Sequence, residues 1–319
     1  MENTVINTPV KKPKFLTRKI RQELASRWQL YLMISIPIIM IFIFHYIPIY
    51  GLQIAFKDYQ PSLGIGHSKW VGFKWLLKFF QSYQFKRVIS NTLEISLYSL
   101  IAGFPIPIIL AIGLNMCGHE KFKKLVQTTT YAPYFISIVV LVGMIIQFLS
   151  PKFGLVNSII VSLEKEPVMF MIRPGLFADI YVWTGIWQGT GWGSIIYLAA
   201  LAGIDPQLHE AAIIDGASRF RRVIHIDIPG ILPTMIILLI LNSGSLMSVG
   251  FEKALLMQND LNLIRSEIIS TYAYKIGLAT SRPNYSYATA IGLFNSIINF
   301  ILLITVNQIS KKLSETSLW

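Results

Sequence analysis

Asp205-Pro206-Gln207-Leu208-His209-Glu210-Ala211-Ala212-Ile213-Ile214-Asp215-Gly216-Ala217-Ser218-Arg219-Phe220-Arg221-Arg222-Val223-Ile224-His225-Ile226-Asp227-Ile228-Pro229 is a charged stretch set between two apolar runs, 178–201 and 228–247. It reads as two short helices. Asp205 is a capping residue by type, Pro206 falls in a first turn where a missing amide costs nothing, and Glu210 is expected near the positive end of the helix dipole. Ala211 and Ala212 offer a small surface for close approach. Asp215-Gly216 ends this helix, because glycine takes the left-handed conformation without a steric cost. The second helix is expected from Ala217 to about Ile224. Arg219, Arg221 and Arg222 hold the whole link on the cytoplasmic side by the positive-inside bias.

The runs on either side of this link belong to a chain built for lipid. Its 319 residues are 53% hydrophobic and only 14% charged, with a mean hydropathy of +0.55, too apolar for a soluble globule of this length. Six runs are long enough for the hydrocarbon core: 30–50, 92–117, 126–149, 178–201, 228–247 and 287–309. The expected fold is therefore an all-α polytopic membrane protein of about six transmembrane helices, divided into a basic cytoplasmic tail at 1–28 and a transmembrane domain at 29–319.

An even number of spans returns the carboxyl end to the side of the amino end, and Lys311 and Lys312 agree. Lys121, Lys123 and Lys124 place the link between the second and third runs in the cytoplasm as well. Lys11, Lys12, Lys14, Arg18, Lys19, Arg21 and Arg27 do the same for the tail. The run after the tail has full spanning length and no small-residue cleavage site, which argues against a cleaved signal peptide. Lys69, Lys74, Lys78, Lys86 and Arg87 run against the bias, but they sit in a long connection where it weakens. In that connection Trp70, Phe73, Leu77 and Phe80 recur at helical spacing, which predicts a helix lying at the headgroup level. Pro37, Pro105 with Pro107, and Pro133 interrupt the spans; freed carbonyls inside a bilayer are tolerated beside other helices or a watered path.

The net charge of +12 does not indicate nucleic acid, because the basic residues flank apolar runs and form no stripe with interleaved aromatics. The single cysteine, Cys117, has no disulfide partner. Gly113 to Glu120 has the glycine spacing of a phosphate loop without its lysine and hydroxyl, and the histidines show no paired metal spacing. A secondary transporter or channel is the alternative class, but it needs mid-span ionisable groups, and the carboxylates inside the runs, Glu94 and Asp179, both lie near a run's end.

Glu210-Ala211-Ala212, three residues, Gly216, nine residues and Ile226-x-Ile228-Pro229 together resemble the EAA loop of permease subunits of bacterial binding-protein-dependent ABC importers. Ile228 stands where leucine is commoner, a volume-conserving change. The resemblance implies the type I importer fold and a loop seated as a coupling helix in a groove of an ATPase subunit, a role carried onto Glu210, Ala211, Ala212, Asp215, Gly216 and Pro229. It also implies a bacterial inner-membrane location with both termini cytoplasmic, and no cofactor in this chain, since ATP and Mg belong to two partner ATPase subunits. A second permease forming a heterodimer and an extracytoplasmic solute-binding protein complete the implied assembly. His45-Tyr46-Ile47-Pro48-Ile49-Tyr50-Gly51, Ala55 to Tyr59 and Ser68 to Gly72 are similar to the carbohydrate permeases that import complex oligosaccharides.

Sugars are held by aromatic faces and by polar groups on their hydroxyls. Candidate pathway residues are therefore Trp183, Trp187, Gln188 and Trp192 in the fourth run, Asn242, Ser243 and Ser245 in the fifth, and Asn295 with Asn299 in the sixth. In a Cys117→Ser background, cysteines at Ser218 and Ser281 are expected to react with an impermeant reagent from opposite sides of the membrane. Labelling from the same side contradicts the topology.

Overall fold

The computed structural model describes residues 26–314, with side chains to residue 312, so nearly all of the basic tail expected at 1–28 lies outside the described residues. The described residues fall into two units, divided between Gln53 and Ile54. The first carries α1 (Trp28–Ile41) and a π-helical segment, Phe42–Tyr46. They belong to an apolar helix of 29 residues, Trp28–Phe56, long enough to cross a membrane. The π segment lies just ahead of Pro48, whose ring removes the amide that an α-helix would direct at the Phe44 carbonyl.

The second unit opens with an antiparallel pair, β1 (Lys57–Asp58) and β2 (Lys69–Trp70), in the register Lys57 to Trp70 and Asp58 to Lys69. An amphipathic helix follows as α2 (Lys74–Gln81), shorter than the expected stripe, since Trp70 falls in β2 and Phe73 is the residue before the first turn. Trp70, Phe73, Leu77 and Phe80 are all exposed, while Phe79 is fully buried against the rings of Phe85, Tyr272 and Phe294. The stripe visible in the sequence is thus the outward one. The anchoring face is Trp75 and Phe79.

Next come α3 (Tyr83–Gly103) and α4 (Pro105–Met116), which meet at Phe104 and make one 34-residue span. This span starts nine residues before the expected 92, because polar residues on one face pack inside the protein: Asn91 and Thr92 are both buried. α5 (Glu120–Tyr131) and α6 (Ile138–Phe148) were expected as one span over 126–149; instead they are bent by 101°. Pro133 opens a 3-10 turn, Ala132–Phe135, and the Ser137 hydroxyl then accepts from the Val140 amide to start a new helix. α7 (Leu155–Ser162) and α8 (Phe177–Ala202) follow, and α8, with 26 residues, is about 39 Å long.

The link after α8 holds α9 (Pro206–Ile214), and α10 (Ile228–Gly244) continues a helix that begins at Arg219. α11 (Phe251–Met257), α12 (Ile269–Gly277) and α13 (Tyr285–Ser314) complete the chain. Among the described residues four helices are long and apolar enough to cross a membrane, or five with the bent pair. The run expected at 178–201 is present as α8 but falls outside that group, since its glycines, tryptophans, Gln188 and threonines dilute its apolarity.

α8 sits at the centre. One core joins Ile95, Val142, Tyr181, Val182, Ala254 and Met257, and another joins Ile108, Ala111, Tyr197, Leu201 and Ile231. Contact between α8 and the end of α5 depends on Gly191, where a Cβ would run into the Thr130 carbonyl and come within 2.8 Å of the Tyr131 amide. Small residues permit such backbone approach between membrane helices. Gly191→Ala is expected to cost about 1–3 kcal/mol through overpacking and to lower the thermal midpoint of the purified complex. Gly113→Ala, at a site with nothing within 4 Å, should not. Equal midpoints for the two variants contradict this packing.

Candidate functional site

The candidate site has two parts, the link around α9 and a cavity against α8. In the link, Asp205 caps α9 by accepting from the Gln207 amide at 2.9 Å, with Pro206 at the first position. Gly216 takes φ +75°; its amide donates to the Ile213 carbonyl at 3.0 Å, and the Ala217 amide donates to that of Ala212 at 2.8 Å. These bonds satisfy carbonyls left open at the helix end. Glu210 lies beyond the first turn of α9, so the dipole interaction expected for it is not made there.

The second short helix is not a separate element. Ser218 caps a turn at Arg219–Arg222, which runs through a π-helical segment, Val223–Asp227, directly into α10. The π segment again precedes a proline, Pro229, whose ring removes the amide an α-helix would aim at the His225 carbonyl. The link therefore consists of one free-standing helix and the base of a membrane helix. His209 Nε2 lies 3.4 Å from Asp227 Oδ1, at ion-pair distance but without hydrogen-bond alignment. A Cβ at Gly230 would press on Ile204 at 2.6 Å. Both contacts fix the link against α10.

Glu210, Ala211, Asp215, Gly216 and Pro229 are exposed and Ala212 is half-buried. Ile214 is 86% exposed and Phe220 71%. These apolar side chains stand beside Arg219 and Arg221, a surface with the character of a protein-docking face.

The cavity holds about 520 Å³ between α3, α4, α8 and α10, extending to the residues before α11. Gly185, Gly189 and Gly193 line it along one face of α8. A Cβ at Gly189 would meet nothing within 4 Å, so these glycines leave room in addition to permitting contact. Ser96, Ser99, Thr190, Asn242 and Ser245 supply hydroxyl and amide groups. Neither these glycines nor the serines of α3 are among the expected pathway residues; the four-residue period of Gly185, Gly189 and Gly193 is the sequence signal that marks this face.

Of the nine residues expected on a solute pathway, Asn242 and Ser245 line this cavity. Gln188 instead donates to the Ile136 carbonyl at 2.9 Å, satisfying backbone freed by the bend after α5. Trp183 donates through Nε1 to the Tyr98 hydroxyl at 2.8 Å, and that hydroxyl donates to Asp179 at 3.0 Å. Trp192 stacks on Tyr134 at 4.6 Å. Trp183, Trp187 and Trp192 are each about half exposed on the outside of α8. Asn295 Oδ1 is buried without a hydrogen-bond partner. Asn299 accepts from the Met247 amide at 2.9 Å and donates to Ser248. Glu94 pairs with Arg265 at 2.8 Å.

Residues 103–315 match the family model described as "Binding-protein-dependent transport system inner membrane component". The chain is 42% identical over 294 residues to Protein LplB of Bacillus subtilis (strain 168), covering 92% of each. It is 39% identical over 317 residues to the polygalacturonan/rhamnogalacturonan transport system permease protein YteP of the same organism, covering 99% of this chain and 97% of YteP. A chain of a bacterial ABC transporter involved in the import of the acidic polysaccharide alginate superposes with a TM-score of 0.84 at 39% identity, covering 93% of this chain and all of that one. A second structure, of a bacterial alginate ABC transporter in complex with an alginate pentasaccharide-bound periplasmic protein, gives 0.85 at 38% identity, covering 94% of this chain and all of the other. With the capped link, the proline-broken helices and these likenesses in agreement, the chain belongs to the family of binding-protein-dependent transport system inner membrane components, the permease subunits of ABC importers.

Proposed function

We propose that this permease passes an oligosaccharide across the bacterial inner membrane by alternating access, with α9 as the element that receives force from a separate ATPase. The observation that carries the reading is the link itself, a capped helix with exposed apolar residues, followed by the exposed Arg219 and Arg221 and tied at His209 and Gly230 to the base of α10. Closure of two ATPase subunits on ATP would displace α9. The tie to α10 would pass that displacement to the cavity wall, because a packed interface moves as a rigid body.

Glu210, Ala211, Ala212, Asp215 and Gly216 form the seat, and Pro229 places the π segment under it. ATP and Mg belong to the ATPase partners. The cavity supports a saccharide, since hydroxyls and an amide face a volume that takes one or two sugar rings, and the likeness to YteP and to alginate transporter chains points the same way. A solute-binding protein would deliver the sugar from outside, and the tryptophan face of α8 is available to a second permease. α8 serves as the remaining span, which brings both termini to the cytoplasm.

Gly216→Val meets the steric cost of the left-handed backbone, on the order of 1–2 kcal/mol, and redirects the chain leaving α9. Glu210→Lys reverses the charge of an exposed residue in a link that already carries Arg219 and Arg221. Each variant should insert normally but lose copurifying ATPase, sugar-stimulated hydrolysis and uptake together, roughly tenfold for a contact loss of about 1.4 kcal/mol. Uptake at the unmodified level in both variants contradicts the assignment of α9.

A further inference from the structure

One cation beside the cavity has no counter-charge. Lys253, in α11, is 6% exposed. Its Nζ donates to the Tyr181 carbonyl at 2.8 Å and lies 4.7 Å from the centre of the Tyr181 ring. The same nitrogen would stand 3.3 Å from a Cβ on Gly185. Tyr181, Gly185 and Gly250 all line the cavity, and none of its lining residues is charged. Among the described residues no carboxylate comes within ion-pair distance of Lys253.

The other buried charges here are answered. Glu267 is held between Arg87 and Lys275, and Asp227 faces His209. A methionine or leucine would fill the position of Lys253 without the desolvation cost of a buried, unpaired ammonium. Burial pushes Lys253 down to about 8, which leaves it charged at neutral pH. One carbonyl and one ring face engage a group with three donors.

We propose that Lys253 sets a positive potential in the cavity and that the translocated saccharide is acidic, its carboxylate drawn to the Tyr181–Gly185 wall. Lys253 is a specificity-determining residue that acts through its field from behind the wall. Such a field decays slowly across a poorly solvated site and is little screened by salt. The inference rests on the saccharide reading of the cavity.

The test uses the complete transporter in proteoliposomes, with its solute-binding protein and either trigalacturonate or the C6-reduced neutral trisaccharide. Lys253→Met removes the charge and keeps the packing; Lys253→Gln removes the charge and keeps a donor for the Tyr181 carbonyl. Copurification of the ATPase and basal hydrolysis report assembly. In both variants, acid-stimulated import should fall about tenfold or more relative to the unmodified protein, a unit charge several ångströms away being worth that much at an effective dielectric near 20. Basal hydrolysis and any import of the neutral sugar should stay within about twofold. If Lys253→Gln keeps full import of trigalacturonate, the bond to the Tyr181 carbonyl is what matters and the proposal fails. It also fails if acidic and neutral import fall in parallel, or if the unmodified protein prefers the neutral sugar. Failure of both sugars with the unmodified protein overturns the saccharide reading itself.

Discussion

Hydrocarbon offers no partner to a freed backbone group, and this chain frees many. Its helices are broken by Pro133, widened ahead of Pro229 and interrupted between α10 and α13. The break after Pro133 and the segment between α10 and α13 survive because a side chain on another element supplies the missing bond. Gln188 meets the Ile136 carbonyl. Asn91 donates to the carbonyls of Ile264 and Glu267 at 3.0 and 2.9 Å, and the Thr92 hydroxyl accepts from the Ile269 amide at 3.0 Å. Asn157 gathers the carbonyls of Leu149, Ser150 and Val168. Amide side chains suit this work because one group carries two donors and an acceptor.

That use of amides leaves the cavity with an economical chemistry. On the α8 side the wall is opened by the missing side chains of Gly185, Gly189 and Gly193, and short hydroxyls stand among the apolar residues of the rest. Charge is kept out of the lining and placed behind it at Lys253, while the Arg87–Glu267–Lys275 cluster fastens the segment before α12 to α3. A packed wall joined through α10 to an exposed helical link is what transmission of force over a distance needs.

How much of this was legible in the sequence follows from the range of each interaction. The cap at Asp205, the left-handed Gly216 and the end of α9 depend on neighbours a few residues away, and all could be read locally. The merger of the second short helix with α10 could not, because the apolar run beginning at Ile228 concealed a helix already under way at Arg219. Hydropathy likewise treated 126–149 as continuous, although Pro133 and Ser137 together redirect it. Gln188, Asn295 and Asn299 look alike as intramembrane amides. Whether such a group faces a solute or mends a backbone depends on elements dozens of residues distant, as between Gln188 and Ile136.

The account turns on α9 being the surface that meets the ATPase. Ile214, 86% exposed at its end, is the position for a photo-reactive amino acid in the assembled transporter. Irradiation should join the chain to the ATPase subunit, with or without nucleotide. An adduct with the extracytoplasmic solute-binding protein, or no ATPase adduct from a fully assembled and active complex, would contradict it.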